Sequence, residues 1–183
     1  MDNFIGKEKT LKSDMIYEGK ILNLRVDTIE LNNKMYVKRE IVEHNNAVAI
    51  IALDKDLNMF FVRQYRKAVE EALLEIPAGI IENNEEPKEA AMRETMEEIG
   101  LKPLNLEFLF DGYSSPGFSN ESINFFLATD FVEEKLESDE DEILAVEKYS
   151  IKEAVKMIER FEISDLKTII GVYYAAMHFK VLK

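Results

Sequence analysis

Three carboxylates crowd one end of a short helical pattern: in AAMRETMEEIG, Ala90 to Gly100, the acids are Glu94, Glu97 and Glu98. On a 3.6-residue helix that spacing projects all three from one face, within a few ångströms of one another. The placement is poor for a helix alone. Negative charge near a C-terminus meets the partial negative end of the peptide dipoles. Like charges at these spacings cost roughly another 0.2–0.5 kcal/mol per pair. Clustered hard oxygen ligands suit Mg2+ or Mn2+, and a bound dication turns the repulsion into attraction. A solvated acidic helix face fits the same residues, and the helix by itself does not decide between the two.

The elements around this helix must hold it in place. Pro87 suits a first helical position, with Glu85 and Glu86 at the favourable positive end, and Gly100 stops the helix. Ala91, Thr95 and Ile99, with Met92 and Met96 beside them, form a face that can bury, and the three glutamates are expected on another. Upstream, MYVKREIVEH alternates, AVAIIALD is a buried apolar run and MFFVRQYR follows across DKDLN, which reads as a hairpin feeding a core strand. LLEIPAGII resumes the extended pattern, with Pro77 and Gly79 marking a bend. Downstream, LEFLFDGYSS, SINFFLATD and LAVEKYS read as strands, and Ser150 with Glu153 form a capping box opening the helix IKEAVKMIER. DLKTIIGVYYAAMHFKVLK closes the chain as an amphipathic helix. The implied class is α+β: a mixed β-sheet sandwiched between helices in an α/β/α arrangement, with an N-terminal β-strand extension over residues 1–40 and the main domain over 41–183.

The bulk composition narrows the partners. A chain of 183 residues, 46% hydrophobic and with 11 Phe and 7 Tyr, is globular in composition. Its net charge of −13, from 23 basic and 36 acidic residues, repels a polyanion, so nucleic acid is not an expected partner. A small anion escorted by cations is compatible with that charge. Eight acids lie between Asp130 and Glu142 with only Lys135 among them, and most read as solvated loop. No apolar run is long enough for a membrane span, the start lacks a signal-peptide core, and there is no cysteine, so a cytoplasmic protein is expected. His44 and His178 lie far apart with no Ser-His-acid pattern around them, and both are expected to be structural.

The residues before the helix sharpen the chemistry. From Gly79 the chain reads GIIENNEEPKEAAMRETMEEIGL, in which Gly79, Glu85, Arg93, Glu94, Glu97, Glu98 and Gly100 fall on G-x5-E-x7-R-E-U-x-E-E-x-G-U, where U is bulky and aliphatic. This resembles the Nudix box. Thr95 stands where U is expected, and its methyl group can still pack. The resemblance implies direct metal ligation by Glu94 and Glu98, with the Ala78 carbonyl facing the cation and Glu97 holding a further metal or its water. It also implies that Arg93 and Glu85 pair to pin the loop to the helix. The implied cofactor is Mg2+, with Mn2+ as substitute. The implied reaction is water attack at a phosphorus of a nucleoside diphosphate linked to another moiety.

A second set of residues resembles one branch of that superfamily, the ADP-ribose pyrophosphatases. SSPGFSNE places Pro116 fifteen residues beyond Leu101, and KREIVEH, VRQYR, EIPAG and DEDE lie in matching contexts. The branch implies substrate contacts from Arg39 and Arg66, with Gly79 at the bend and Ser115 and Glu121 on the loop lining the site. Arg63 is a weaker candidate, and Tyr17, Tyr65 and Phe118 are the candidate rings for stacking on adenine. A glutamate before the last strand is implied as the base for the attacking water; matching of DEDEILAV favours Glu142, with Glu140 second. The resemblance further implies a homodimer with exchanged N-terminal strands, so that Arg39 serves the partner's site. The expected activity is Mg2+-dependent hydrolysis of ADP-ribose to AMP and ribose 5-phosphate. The alternatives are hydrolysis of another nucleoside diphosphate sugar or dinucleotide, or a catalytically silent nucleotide sensor.

Overall fold

The computed structural model describes residues 8–31, 34–137 and 144–181. The chain divides into two compact units, Met1–Asn46 with Gly112–Ser122, and Ala47–Asp111 with Ile123–Lys183. In the first unit, β1 (Lys9–Glu18), β2 (Leu22–Glu30) and β3 (Tyr36–His44) form an antiparallel sheet in that order. The Gly19 amide donates to Leu22 O at 3.1 Å to close the first hairpin, and Lys34 takes a positive φ of 59° in the second. The residues after Tyr113 bond back to β3: Val42 N donates to Phe118 O at 2.7 Å, and His44 N donates to Asn120 Oδ1 at 2.9 Å. Met15, Ile16 and Tyr17 of β1 remain exposed, so this sheet has an apolar surface that its own unit does not cover.

The second unit begins with β4 (Ala47–Ala52), whose every residue but the first is buried. Alternate side chains serve two cores: Ala49, Ile51 and Leu53 face one, and Val48, Ile50 and Ala52 the other. A strand covered on both faces reads as a continuous apolar run, which is why AVAIIA does not alternate. β4 lies in a mixed sheet ordered β7-β4-β9-β8, formed with β7 (Ala78–Ile80), β9 (Ser122–Glu133) and β8 (Leu101–Tyr113). It runs antiparallel to β7 and parallel to β9. A second, antiparallel sheet is ordered β10-β5-β6, from β10 (Leu144–Ser150), β5 (Asn58–Arg66) and β6 (Glu71–Glu75).

The expected hairpin across DKDLN is therefore corrected. β4 and β5 share one isolated bridge, Leu53 to Met59, and then enter different sheets. The turn itself is well formed: Asp54 Oδ1 accepts from Asp56 N and Asn58 N, both at 2.9 Å, and Leu57 has a φ of 59°. What separates the strands is competition for β4, whose two edges are taken by β7 and β9.

Helix α1 (Pro87–Glu98) packs on β4 and β7, α3 (Leu166–His178) packs on β4 and β6, and α2 (Ile151–Glu159) packs on α3 and β10. Gly171 lets α3 come close, because a Cβ there would lie 3.0 Å from Ile76 Cδ1 and 3.3 Å from Ile51 Cγ1. Pro87 is the first residue of α1, and Gly100 leaves the helix with a φ of 71°, as the sequence pattern requires. Ser150 Oγ accepts from Glu153 N at 3.2 Å and caps α2. The expected separation of α1 into a buried face and an acidic one is only half correct. Ala90, Ala91 and Thr95 are fully buried, but Glu94 and Glu98 are also only 8% and 6% exposed. Thr95 suits its buried position because its hydroxyl donates to Ala91 O at 2.6 Å. None of the described helices is long and apolar enough to cross a membrane.

Candidate active site

Two buried glutamates of α1 rest on the backbone of β7. The Ala78 amide donates to Glu98 Oε2 at 3.0 Å. At the next residue a Cβ on Gly79 would fall 1.9 Å from Glu94 Oε1 and 2.0 Å from Glu94 Cδ. Position 79 is glycine because the Glu94 carboxylate occupies the space a side chain would need. A three-residue strand is a short platform, but its pairing with β4 ties it to the buried centre of the sheet.

Arg93 organises the charges around this platform. Its Nε and Nη2 donate to Glu85 Oε1 at 2.8 Å and Oε2 at 3.0 Å, a bidentate pair. Nη1 donates to Glu94 Oε1 at 2.7 Å and Glu97 Oε2 at 2.9 Å, and Nη2 also reaches Ile80 O at 3.1 Å. One guanidinium thus joins the β7–α1 loop to two carboxylates of the helix. The hydrogen bonds to Glu85 lead in raising the Arg93 pKa far above its usual value, against the effect of burial. The same bonds hold the Glu85 carboxyl below its ordinary range, helped by the Glu82 amide, which donates to Glu85 Oε2 at 2.9 Å. The expected Arg93–Glu85 pairing is present in these contacts, and Arg93 Nη1 in addition bridges Glu94 and Glu97.

Among the described residues no three carboxylate, imidazole or thiolate groups converge on one point. The donor set nonetheless suits a hard cation: Glu94 and Glu98 offer carboxylate oxygens held against one strand, and the glycine at 79 leaves room for the Glu94 carboxylate. Glu97 sits beside them in the grip of Arg93. Glu142 and Glu140 lie outside the described residues.

Arg66, at the end of β5, makes a bidentate pair with Glu75, both bonds being 2.7 Å long. Lys167 of α3 also donates to Glu75, which is only 1% exposed. Glu75 and Lys167 were not among the residues expected from sequence. The available signal was a charged residue enclosed by apolar neighbours in LLEIP. Arg63, the weaker candidate, donates through Nε to Glu147 Oε1 at 2.5 Å, and Tyr149 Oη donates to Glu147 Oε2 at 2.5 Å. It is thereby committed to a bond across the β5–β10 pair.

In the first unit, Arg39 is bonded to Glu8, with Nη2 donating to Oε1 at 2.7 Å and Nε to Oε2 at 3.3 Å. Glu121 accepts from Ser114 Oγ at 2.5 Å, whereas Ser115 contributes its carbonyl, which accepts from Phe118 N at 3.1 Å and Ser119 N at 2.9 Å. The serine hydroxyl beside Glu121 is therefore that of residue 114, and Ser115 forms the turn. His44 Nδ1 lies 3.4 Å from Glu121 Oε1 and 2.6 Å from Asn45 O, so Glu121 sits between Ser114 and His44, an order that differs from the Ser-His-acid arrangement of a nucleophilic triad. Tyr17, Tyr65 and Phe118 are all exposed to similar extents.

Comparison with known proteins supplies a context for this geometry. A family model described as NUDIX domain matches residues 43–169. The chain is 40% identical over 170 residues to the ADP-ribose pyrophosphatase of Bacillus subtilis (strain 168), covering 92% of each chain. It is 39% identical over 170 residues to the methanol dehydrogenase activator of Bacillus methanolicus, again covering 92% of each. A solved structure described as an ADP compounds hydrolase superposes with a TM-score of 0.86, covering 98% of this chain and 97% of that one. At 22% identity that likeness concerns the fold.

Proposed function

This chain belongs to the NUDIX domain family, and from that premise we propose that it hydrolyses the pyrophosphate bond of ADP-ribose, with Mg2+, to AMP and ribose 5-phosphate. The observation that carries the reading is the seating of Glu94 and Glu98 on β7, with Gly79 shaped around the Glu94 carboxylate. The near full-length match to the Bacillus subtilis protein supports the choice of substrate.

Glu94 and Glu98, with the Ala78 carbonyl, would hold the cation, and Glu97 would hold a second ion or a water beside them. When bound, such an ion neutralises charge on the pyrophosphate oxygens, and Mn2+ is the natural substitute for Mg2+. Arg93 bridges Glu94 and Glu97 through Nη1 and ties both to the loop through Glu85. Arg66 offers guanidinium donors to the substrate, Arg39 offers them to the partner's site in the proposed dimer, and Ser115 and Glu121 are assigned to substrate binding by the same family resemblance. Glu142, with Glu140 as the alternative, takes the proton as water oxygen bonds to phosphorus and the bridging P–O bond breaks.

The exposed apolar residues of β1 support a homodimer in which the N-terminal strands, within residues 1–40, are the dimerisation element. A chain without cysteine needs no oxidising compartment to fold, and we take it to act in the cytoplasm.

The test is a substrate panel, ADP-ribose, ADP-glucose, NADH and diadenosine compounds, assayed with Mg2+ and with EDTA. ADP-ribose is expected to be cleaved with the highest kcat/KM, releasing AMP. Turnover of none of them overturns the enzyme reading, and preference for another member replaces ADP-ribose while keeping the reaction class.

A further inference from the structure

Arg66 is gripped along one edge. Nε and Nη2 are both spent on Glu75, while no described residue engages Nη1. Glu75 is held in turn from α3. Lys167 donates to its Oε2 and also pairs with Asp165 at 3.1 Å. Asp165 Oδ2 accepts from Thr168 N at 2.9 Å and Thr168 Oγ1 at 2.6 Å, and Thr168 Oγ1 accepts from Ile76 N at 2.9 Å. Glu75 and the residue after it are therefore both fastened to the first turn of one helix. Two residues further on is Ala78, whose amide holds Glu98.

This is an expensive arrangement for stability alone, because a buried ion cluster loses much of its Coulomb energy to desolvation. Burial pushes the Glu75 carboxyl up, but its bonds to Arg66 and Lys167 outweigh that effect and hold it below the usual range. The hydrogen bond to Glu75 leads in raising the Arg66 pKa against the effect of burial, and the charges of Glu98 and Asp165 add to it. A guanidinium fixed by two parallel bonds has its plane set, and its remaining donors point in one direction.

We propose that Glu75, locked by Lys167, is a positioning residue that orients Arg66 so that its Nη1 meets a phosphate oxygen of the nucleoside diphosphate substrate. This rests on the assignment of Arg66 to the substrate made under the proposed function. Glu75 itself touches no substrate atom.

The test compares KM, kcat and Tm for the full chain with ADP-ribose and Mg2+ in Arg66→Ala, Glu75→Gln and the double variant. Arg66→Ala and Glu75→Gln are each expected to raise KM about tenfold with kcat within about twofold of wild type. The double variant is expected to be no worse than Arg66→Ala, because the two residues act through one contact. A lower Tm for Glu75→Gln with unchanged KM, or additive losses in the double variant, overturns the proposal while leaving Arg66 at the substrate. A wild-type KM in Arg66→Ala overturns both. Should Glu75→Gln not fold, Arg66→Lys decides: it keeps the charge but cannot bond Glu75 bidentately and still reach onward, so a wild-type KM there is the overturning result.

Discussion

The Glu94 carboxylate lies where a side chain on residue 79 would have to be: Glu94 Oε1 is 1.9 Å from the position of a Cβ on Gly79. The contact joins strand β7 to helix α1 across a loop that Arg93 ties at both ends, through Ile80 O and Glu85. The atom met is the tip of a flexible side chain, so Gly79→Ala is expected to fold and to displace the carboxylate. Activity should fall by about a hundredfold, the scale expected for an ångström-sized misplacement, with Tm within about 3 °C of wild type. Steady-state rates and a thermal melt read both parts. A wild-type rate would show that Glu94 is not needed where the structure holds it.

Glu98→Gln keeps an acceptor for the Ala78 amide but removes one charge from the cluster. If Glu98 ligates the cation as proposed, losing a ligand worth several kcal/mol should reduce kcat by at least about a hundredfold. Without divalent ions the variant should melt no lower than wild type, since a nearly buried charge has been removed. Retention of most activity would sink the ligand assignment.

Arg93 is bonded to Glu85, Glu94 and Glu97 together. Arg93→Met should therefore cost about 2–3 kcal/mol of stability in urea unfolding, the range for breaking a partly buried charged network. Addition of Mg2+ should recover more stability in this variant than in wild type, because the cation can take over the neutralisation of Glu94 and Glu97. Equal Mg2+ effects in the two proteins would count against a shared charge site.

Asp54 gives a pH signature away from the site. Burial pushes its carboxyl up, but bonds from Asn58, Lys148 and the Asp56 amide prevail and lower it to about 2. A depressed carboxylate stabilises the fold above its unfolded pKa of about 3.9 and loses that contribution as pH falls through the folded value. Asp54→Asn should thus cost about 1–2 kcal/mol at pH 7, and the gap to wild type should close between about pH 4 and pH 2. A gap that stays constant over this window in denaturant titrations would refute the assignment.

The uncovered apolar strand β1 makes a prediction about assembly. Ile16→Asp places a charge among the exposed Met15, Ile16 and Tyr17 and should shift the proposed dimer toward monomer by at least about tenfold in dissociation constant. Sedimentation velocity over a concentration series reads this directly. A wild-type protein that is monomeric at every concentration would end the dimer proposal.

Some of this protein was determined by the sequence acting over short distances. Pro87 and Gly100 bound α1, Ser150 caps α2, and the spacing of Glu94, Glu97 and Glu98 brings them to one region of the helix, because each effect works within a turn or two of chain. The Nudix-type pattern around them was legible for the same reason. Tertiary structure decided the rest. Nothing local in AVAIIALD shows that β4 will pair with β7 and β9 and leave β5 to another sheet. Nothing local to Glu75 announces Lys167, 92 residues away, or makes His44 a neighbour of Glu121. The burial of Glu94 and Glu98 belongs to this second class, since α1 on its own has no β7 to rest on. Helix limits follow from bonds among near neighbours, whereas sheet order, buried charge pairs and the space around Gly79 exist only after distant segments have competed for the same edges and the same volume.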